Sequence, residues 1–268
     1  MAVWFFTYGD DNFKKTKIRI KKEAEESRFF DKIFVFGPEH LDKEFIEKTK
    51  PYILSARGGG FWLWKAYFLK HIFSQMNDGD YCFYMDAGCK INSSGQKRFF
   101  EYLEMLDSTE TGCVAFCMDG LYGDGHYLYE YRWTNDTALK YFNSDDSIKN
   151  SFQLCGGILM FKKNEVSCKL IDEYCNIAIF RPDLFSDDYN NQSPSDFQEH
   201  RHDQSIFSIL RKKYNVLQIK DEVEGGTALS EKGIDPKSIP FLAYRLRDSE
   251  ATKTPKRSWL TRLFSLRK

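Results

Sequence analysis

Apolar runs interrupted by glycine, proline or acid outline the elements of this chain. VWFFTY (3–8) is an unbroken apolar run ending at Gly9-Asp10-Asp11, the pattern of a buried strand closed by a turn. A charged helix follows at about 13–27, then a second strand, KIFVFG (32–37), and a helix over roughly 39–49. RGGGFWLWKAYFLKHIF (57–73) runs three glycines into an apolar helical pattern. DYCFYMDAG (80–88) reads as a strand ending in a turn, a helix covers about 95–107, and CVAFCM (113–118) is strand-like. Strands alternating with helices predict an α/β fold with a mostly parallel central sheet flanked by helices.

The second half is less regular. In YLYEYRW (127–133), period-two alternation puts Tyr127, Tyr129, Tyr131 and Trp133 on one strand face. LCGGILMFKK (154–163) reads as a strand carrying a glycine pair, followed by a helix near 165–179. Residues 181–200 are polar and read as a mobile loop with few apolar anchors. DQSIFSILRKKY is an amphipathic helix leading to a strand at NVLQI (215–219). These elements form one domain over residues 1–247, with a separate tail at 248–268.

Composition narrows the class. At 268 residues, 42% hydrophobic and 29% charged, the chain has enough apolar material for a substantial core. Aromatics reach 16%, and rings beyond the needs of a core often line binding clefts. A formal net charge of zero argues against a general nucleic-acid binder. The zero hides an asymmetry: residues 253–268 carry six basic residues and no acidic one, leaving 33 basic and 39 acidic residues before them. On a helix, Trp259, Leu260, Leu263 and Phe264 of this tail share a face, the pattern of an interfacial amphipathic helix that docks on an anionic membrane surface. A tail packed on its own domain or loose in solvent is the alternative.

The seven cysteines show no CxxC spacing, and Cys82, Cys89, Cys113, Cys117 and Cys155 lie mostly within apolar runs and read as small buried hydrophobes, which suits a reducing cytosol. The start, MAVWFFTYGDD, lacks the basic region and apolar length of a signal peptide. No stretch approaches the roughly 20 apolar residues of a membrane span. The expected location is cytoplasmic, with the tail allowing peripheral attachment.

Open α/β sheets bind ligands at the carboxyl ends of their strands. That rule selects Tyr8-Gly9-Asp10, Asp86-Ala87-Gly88 and Asp119-Gly120. Acids gathered there suit a divalent cation (Mn or Mg) holding phosphates, although strand-end Asp and Gly also simply make turns. At YMDAG the chain resembles the Asp-any-Asp element of nucleotide-sugar glycosyltransferases with the GT-A fold, which holds a divalent cation on the donor diphosphate. GGGFWLWKAYF is similar to a Gly-aromatic-x-Trp-Lys segment in small bacterial and viral glycosyltransferases of capsule and lipopolysaccharide type, and RHDQSIF (201–207) to their His-Asp-Gln helix start. One departure stands out. The second acid of the pair falls on Gly88 or Tyr84, and Asp80 lies six strand residues away, roughly 20 Å. A cation would need Asp86 plus ligands from elsewhere, such as His202 or water, or basic residues would replace it.

Lys65 is poorly placed for stability alone, because a helix N-terminus repels cations. An anion held by the Gly58–Gly60 amides and Lys65 together would make the site favourable, and a nucleotide diphosphate fits. Otherwise Lys65 reaches water along its own stem. Asp203 is the candidate base for an acceptor hydroxyl, or else a helix N-cap. Gly156-Gly157 would let a strand approach the donor sugar, or mark a bulge. The donor-binding set is therefore Tyr8, Gly9, Arg57, Gly59, Lys65, Asp86, Gly88, Gly156, Gly157 and Arg245, with Arg245 from the two-arginine stretch Tyr244-Arg245-Leu246-Arg247. Arg57 and Arg245 read equally as solvated arginines. The resemblance implies transfer of a sugar from a nucleotide-diphosphate donor to a glycan acceptor, commonly lipid-linked at the cytoplasmic face. Two rivals remain: a sugar nucleotidyltransferase, whose Gly-rich phosphate loop TYGDDNFKK lacks, and a non-catalytic sugar-nucleotide or glycan-binding module.

Overall fold

The computed structural model describes residues 1–122, 125–188, 196–224, 229, 232–244 and 246. Its strands are β1 (Val3–Tyr8), β2 (Lys32–Phe36), β3 (Tyr81–Met85), β4 (Lys90–Ile91), β5 (Cys113–Cys117), β6 (Leu121–Tyr122), β7 (His126–Tyr127), β8 (Ile158–Lys162), β9 (Leu217–Lys220) and β10 (Phe241–Leu242). Six of them form one sheet in the order β2-β1-β3-β8-β5-β9. β1 pairs parallel with β2 and β3, and β5 parallel with β9. β8 is antiparallel to both neighbours, so it runs against the other five strands. The result is the expected α/β fold with a mostly parallel sheet.

Both sheet faces are covered, which is why its central strands read as continuous apolar runs. Within those runs the side chains alternate. Trp4, Phe6, Tyr8, Cys82 and Tyr84 join one core cluster, with the helices Trp64–Gln75, Glu165–Phe180 and Asp203–Lys213. Phe5, Tyr81, Phe83 and Met85 join the other, with Phe99 and Tyr102 from the helix Gln96–Ser108. Each fully buried Phe contributes about 1.5–3 kcal/mol. Tyr84 therefore points to the face that carries the helices Trp64–Gln75 and Asp203–Lys213.

Several boundaries depart from the sequence pattern. The apolar face expected across residues 127–133 does not form: Tyr127 ends β7, and Glu130–Trp133 is a helical turn. The reason is Glu130, fully buried among polar groups, which draws its segment inward. Trp133 turns into the core, while Tyr129 stacks on Tyr131 at 5.8 Å and on Phe152 at 4.6 Å. The helix expected at 39–49 begins at Lys43, because the Asp42 carboxylate caps it by accepting from the Phe45 amide at 2.6 Å. The glycine pair precedes β8 rather than lying within it. Residues 181–200 are not loose throughout: Leu184 and Phe185 are buried in a 3-10 turn, and His200 is buried at the other end. Residues 189–195 and the tail from 247 onward lie outside the described residues.

Candidate active site

β3 delivers Asp86 to the carboxyl end of the sheet, where its amide donates to the Gly157 carbonyl at 2.9 Å. The Tyr84 hydroxyl donates to Asp86 Oδ1 from two residues back on the same strand. Asp86 remains 43% exposed on its side chain.

Lys65 comes from the second residue of the helix Trp64–Gln75 and is only 2% exposed. Its ammonium donates to Asp203 Oδ2 at 2.5 Å and to the Gly156 carbonyl at 2.9 Å, and lies 3.5 Å from Asp86 Oδ1. An ammonium has three N–H donors. Two of them make hydrogen bonds inside the protein, and the charge also pairs with Asp86. Lys65 neither reaches water nor stands free for a diphosphate: the anions that balance it are two carboxylates of the chain.

Asp203 opens the helix Asp203–Lys213 but does not cap it, since the cap position is His202. Burial raises the Asp203 carboxyl above the usual range, and the nearby Lys65 charge only partly offsets this. Burial also works against the Lys65 charge, but Asp203 and Asp86 outweigh it and hold its pKa above the ordinary lysine value. The cluster thus pairs a persistent cation with a carboxylate more basic than usual.

Gly156 and Gly157 bring backbone against this cluster. A Cβ on Gly156 would lie 2.9 Å from Gln204 Cβ, and one on Gly157 3.0 Å from Asp86 Oδ2. Lys65, Asp86, Gly156, Gly157 and Asp203 therefore converge.

The glycine loop does something else. Gly58, Gly59, Gly60, Phe61 and Trp62 all have positive φ, a left-handed turn ahead of the helix rather than its first turn. The Gly59 and Gly60 amides donate to the carbonyls of Ala56 and Arg57 at 3.3 and 3.2 Å, so they are not directed at an anion. Glycine is required at Gly60, where a Cβ would come within 2.6 Å of the Ile53 carbonyl oxygen. A Cβ on Gly59 would lie 3.8 Å from Tyr8 Oη and 4.0 Å from Asp10 Oδ2. The Tyr8 hydroxyl is buried without a hydrogen-bond partner, while its ring stacks on Trp64 at 3.8 Å. An unsatisfied buried hydroxyl costs about 1–3 kcal/mol, which a ligand at this strand end would recover.

Arg57 and His202 meet each other rather than the cluster. Arg57 Nε donates to His202 Nε2 at 2.9 Å, and its guanidinium pairs with Asp187 at 3.2 Å and with Glu199. With Nε2 accepting, the Nδ1 proton goes to the Phe185 carbonyl at 2.8 Å. Burial, outweighing the helpful hydrogen bond, lowers the His202 pKa. Both ring nitrogens are engaged, so His202 is not free to ligate a cation. Asp86 keeps an exposed side, but its Oδ1 already accepts from Tyr84 and faces the Lys65 ammonium, and no second carboxylate joins it free of that cation. The residues present do not fit a divalent cation, and no group of three or more His, Cys, Asp or Glu among the described residues is arranged to hold one.

Gly9 and Gly88 serve packing. A Cβ on Gly9 would lie 2.7 Å from Phe13 Cβ, and one on Gly88 3.0 Å from the Leu246 carbonyl oxygen. Arg245 lies outside the described residues. Sequence reasoning missed Tyr84 and Gln204. Both carried a signal: Tyr84 is two strand positions from Asp86, and Gln204 sits within the RHDQSIF stretch.

No protein-family model matches the chain, and no curated protein sequence does. Among solved structures, the chain is similar to a glycosyltransferase involved in the glycosylation of the major capsid of PBCV-1 (8% identity, 90% of this chain and 93% of that one, TM-score 0.49). It is similar to mouse xyloside xylosyltransferase 1 (9% identity, 90% and 97% covered, TM-score 0.47). It is also similar to the galactosyltransferase LgtC in complex with donor and acceptor sugar analogs (13% identity, 98% and 94% covered, TM-score 0.45). At such identities and scores, donor, acceptor and chemistry stand or fall on this chain's own residues.

Proposed function

We propose that the protein is a glycosyltransferase that moves a sugar from a nucleotide-diphosphate donor to a glycan acceptor. One observation carries the reading. The three stretches that resemble glycosyltransferase motifs each send one charged side chain, Lys65, Asp86 and Asp203, to a single point at the carboxyl edge of the sheet.

In this reading Asp203 takes the proton of the acceptor hydroxyl, and its raised pKa makes it a better acceptor than an ordinary carboxylate. Lys65 holds Asp203 and Asp86 in register, through its hydrogen bond to the first and its ion pair with the second. The exposed side of Asp86 and the neighbouring Gly157 receive hydroxyls of the donor sugar. The unpartnered Tyr8 hydroxyl, with Gly59 beside it, receives the nucleotide end. The acceptor belongs to polysaccharide of capsule or lipopolysaccharide type, in lipid-linked form, and the basic tail brings the enzyme to the cytoplasmic face of a membrane. Among the described residues no helix is long and apolar enough to cross one.

The test is a panel of nucleotide sugars in thermal-shift and hydrolysis assays. A donor that raises the melting temperature and is turned over supports the proposal, because a ligand of the native state stabilises by mass action. A second reading, a non-catalytic sugar-nucleotide-binding module, draws on the poor fit to a divalent cation. Binding without turnover in both the absence and presence of Mn or Mg would select it.

A further inference from the structure

We propose that Glu130 is a positioning residue for the Lys65–Asp203–Asp86 cluster, acting through a directional chain of side-chain amides. Glu130 is fully buried on the helical turn Glu130–Trp133. Its Oε1 accepts from Lys212 Nζ at 2.6 Å and from the Ser208 hydroxyl. Its Oε2 accepts from Thr134 Oγ1 at 2.7 Å and from Gln153 Nε2 at 3.2 Å.

Direction follows from donor and acceptor identity. A carboxylate paired with an ammonium only accepts, so Gln153 must turn its NH2 toward Glu130. The same nitrogen faces the Trp133 carbonyl at 3.2 Å, another acceptor. Gln153 Oε1 is then left to accept from Gln204 Nε2 at 2.8 Å. Gln204 Oε1 in turn accepts from the Gly156 amide at 3.1 Å. The carbonyl of that same residue accepts from Lys65 Nζ at 2.9 Å. Glu130 thereby acts with the Trp133 carbonyl to set Gln153, while the Gly156 N–H holds Gln204 in the matching orientation from the other end.

A buried ion pair adds little stability over apolar packing of the same volume. Glu130 and Lys212 nonetheless occupy the fully enclosed end of a chain whose other end is the charged cluster. A neutral glutamine at position 130 must keep its oxygen toward the Lys212 ammonium, which only donates, and so turns its NH2 toward Gln153 Nε2. Reversal of Gln153 relieves that clash but gives up its bond to the Trp133 carbonyl, and it turns Gln204 with it, setting the Gln204 NH2 against the Gly156 N–H, two donors with nothing between them. The Gly156 peptide would release, and its carbonyl would leave Lys65.

Only the catalytic arm of the test rests on the glycosyltransferase reading. The variants are Glu130→Gln and Gln153→Met, the second of which breaks the chain but spares the ion pair. Amide hydrogen exchange at Gly156 is followed by NMR in the full chain, with Met160 at the sheet centre as reference. Glu130→Gln and Gln153→Met should each speed exchange at Gly156 about 10-fold or more, with Met160 unchanged. With a turned-over donor, kcat should fall about 10-fold in both, with the donor KM within about 2-fold. Unchanged Gly156 exchange in either folded variant overturns the proposal, as does equal acceleration at Met160. If exchange responds as expected but no form of the protein transfers sugar, the relay stands and the glycosyltransferase reading falls.

Discussion

Lys65 Nζ lies 2.5 Å from Asp203 Oδ2, joining residues 138 positions apart. Their side chains are 3% and 9% exposed, so this is a buried ion pair. Removing such charges from water costs several kcal/mol each, repaid only when the remaining polar atoms are also matched. Lys65 meets that condition through Gly156 and Asp86. A cation that looks misplaced at the start of a helix is, in three dimensions, the centre of a buried charged cluster.

The first prediction concerns stability. Lys65→Met should leave the buried Asp203 carboxylate unpaired and destabilise the fold by about 3–5 kcal/mol, less whatever Asp203 recovers by taking up a proton. Adding Asp203→Asn should restore part of the loss, because the second change removes the stranded charge. Urea unfolding of the two single variants and the double variant measures the coupling. A loss below about 1 kcal/mol with additive effects would show that the pair does not bear on the fold.

Activity separates Asp203 from Lys65. Asp203→Asn keeps the shape and one hydrogen-bond acceptor but loses the base, so turnover should fall about 100-fold or more while donor affinity persists. In the wild type, the acid limb of the rate profile should lie above the ordinary aspartate range, because burial raises this carboxyl. Full turnover in Asp203→Asn would remove it from the chemistry.

The central strands were legible because a sheet covered on both faces demands apolar residues at every position, as in YCFYM. Lys65, Asp86 and Asp203 were legible one at a time, as odd residues at the ends of apolar elements. Their mutual pairing was not, since nothing local in the chain encodes a contact between a helix near residue 65 and another near 203. The stripe from Tyr127 to Trp133 misled for a related reason. Its alternation mimics a strand, but the deciding residue is Glu130, whose partners Ser208 and Lys212 lie far along the sequence. The left-handed turn at Gly58–Trp62 was hidden by the same limit: three glycines permit positive φ but do not announce it for the Phe and Trp that follow.

His200 should make the fold acid-sensitive. Burial, followed by the neighbouring His202 charge, lowers its pKa from 6.5 to about 3. Its ring contacts the Leu184 carbonyl at 2.9 Å and the Asn135 amide at 3.2 Å. A lowered histidine contributes stability that is complete above its unfolded pKa of about 6.5 and is lost as pH falls toward about 3. Within that window the contribution falls by about 1.4 kcal/mol per pH unit, the slope for one proton taken up on unfolding. Urea denaturation of wild type and His200→Gln across pH 4–7 should show a slope smaller by about one proton in the variant. Identical slopes would mean that His200 is already protonated in the native state.

The last prediction concerns residues 253–268, which lie outside the described residues. Their six basic residues stand against a body with an acidic excess, so the tail has little reason to remain apart from negative surfaces of some kind. The apolar group Trp259, Leu260, Leu263 and Phe264 tips the choice toward a lipid interface, because a purely electrostatic tail has no use for it. Each basic residue near an anionic leaflet contributes about 1 kcal/mol, weakened by salt. Full-length protein should therefore co-sediment with phosphatidylserine-containing vesicles at low salt and be released as salt rises. Deleting residues 253–268 should abolish that binding while sparing transfer to a soluble acceptor. Replacing Trp259 and Phe264 by Ser should weaken binding even though all six charges remain. If that variant binds as wild type does, attachment is a matter of charge alone; if the full-length chain ignores anionic vesicles at low salt, the tail has another purpose.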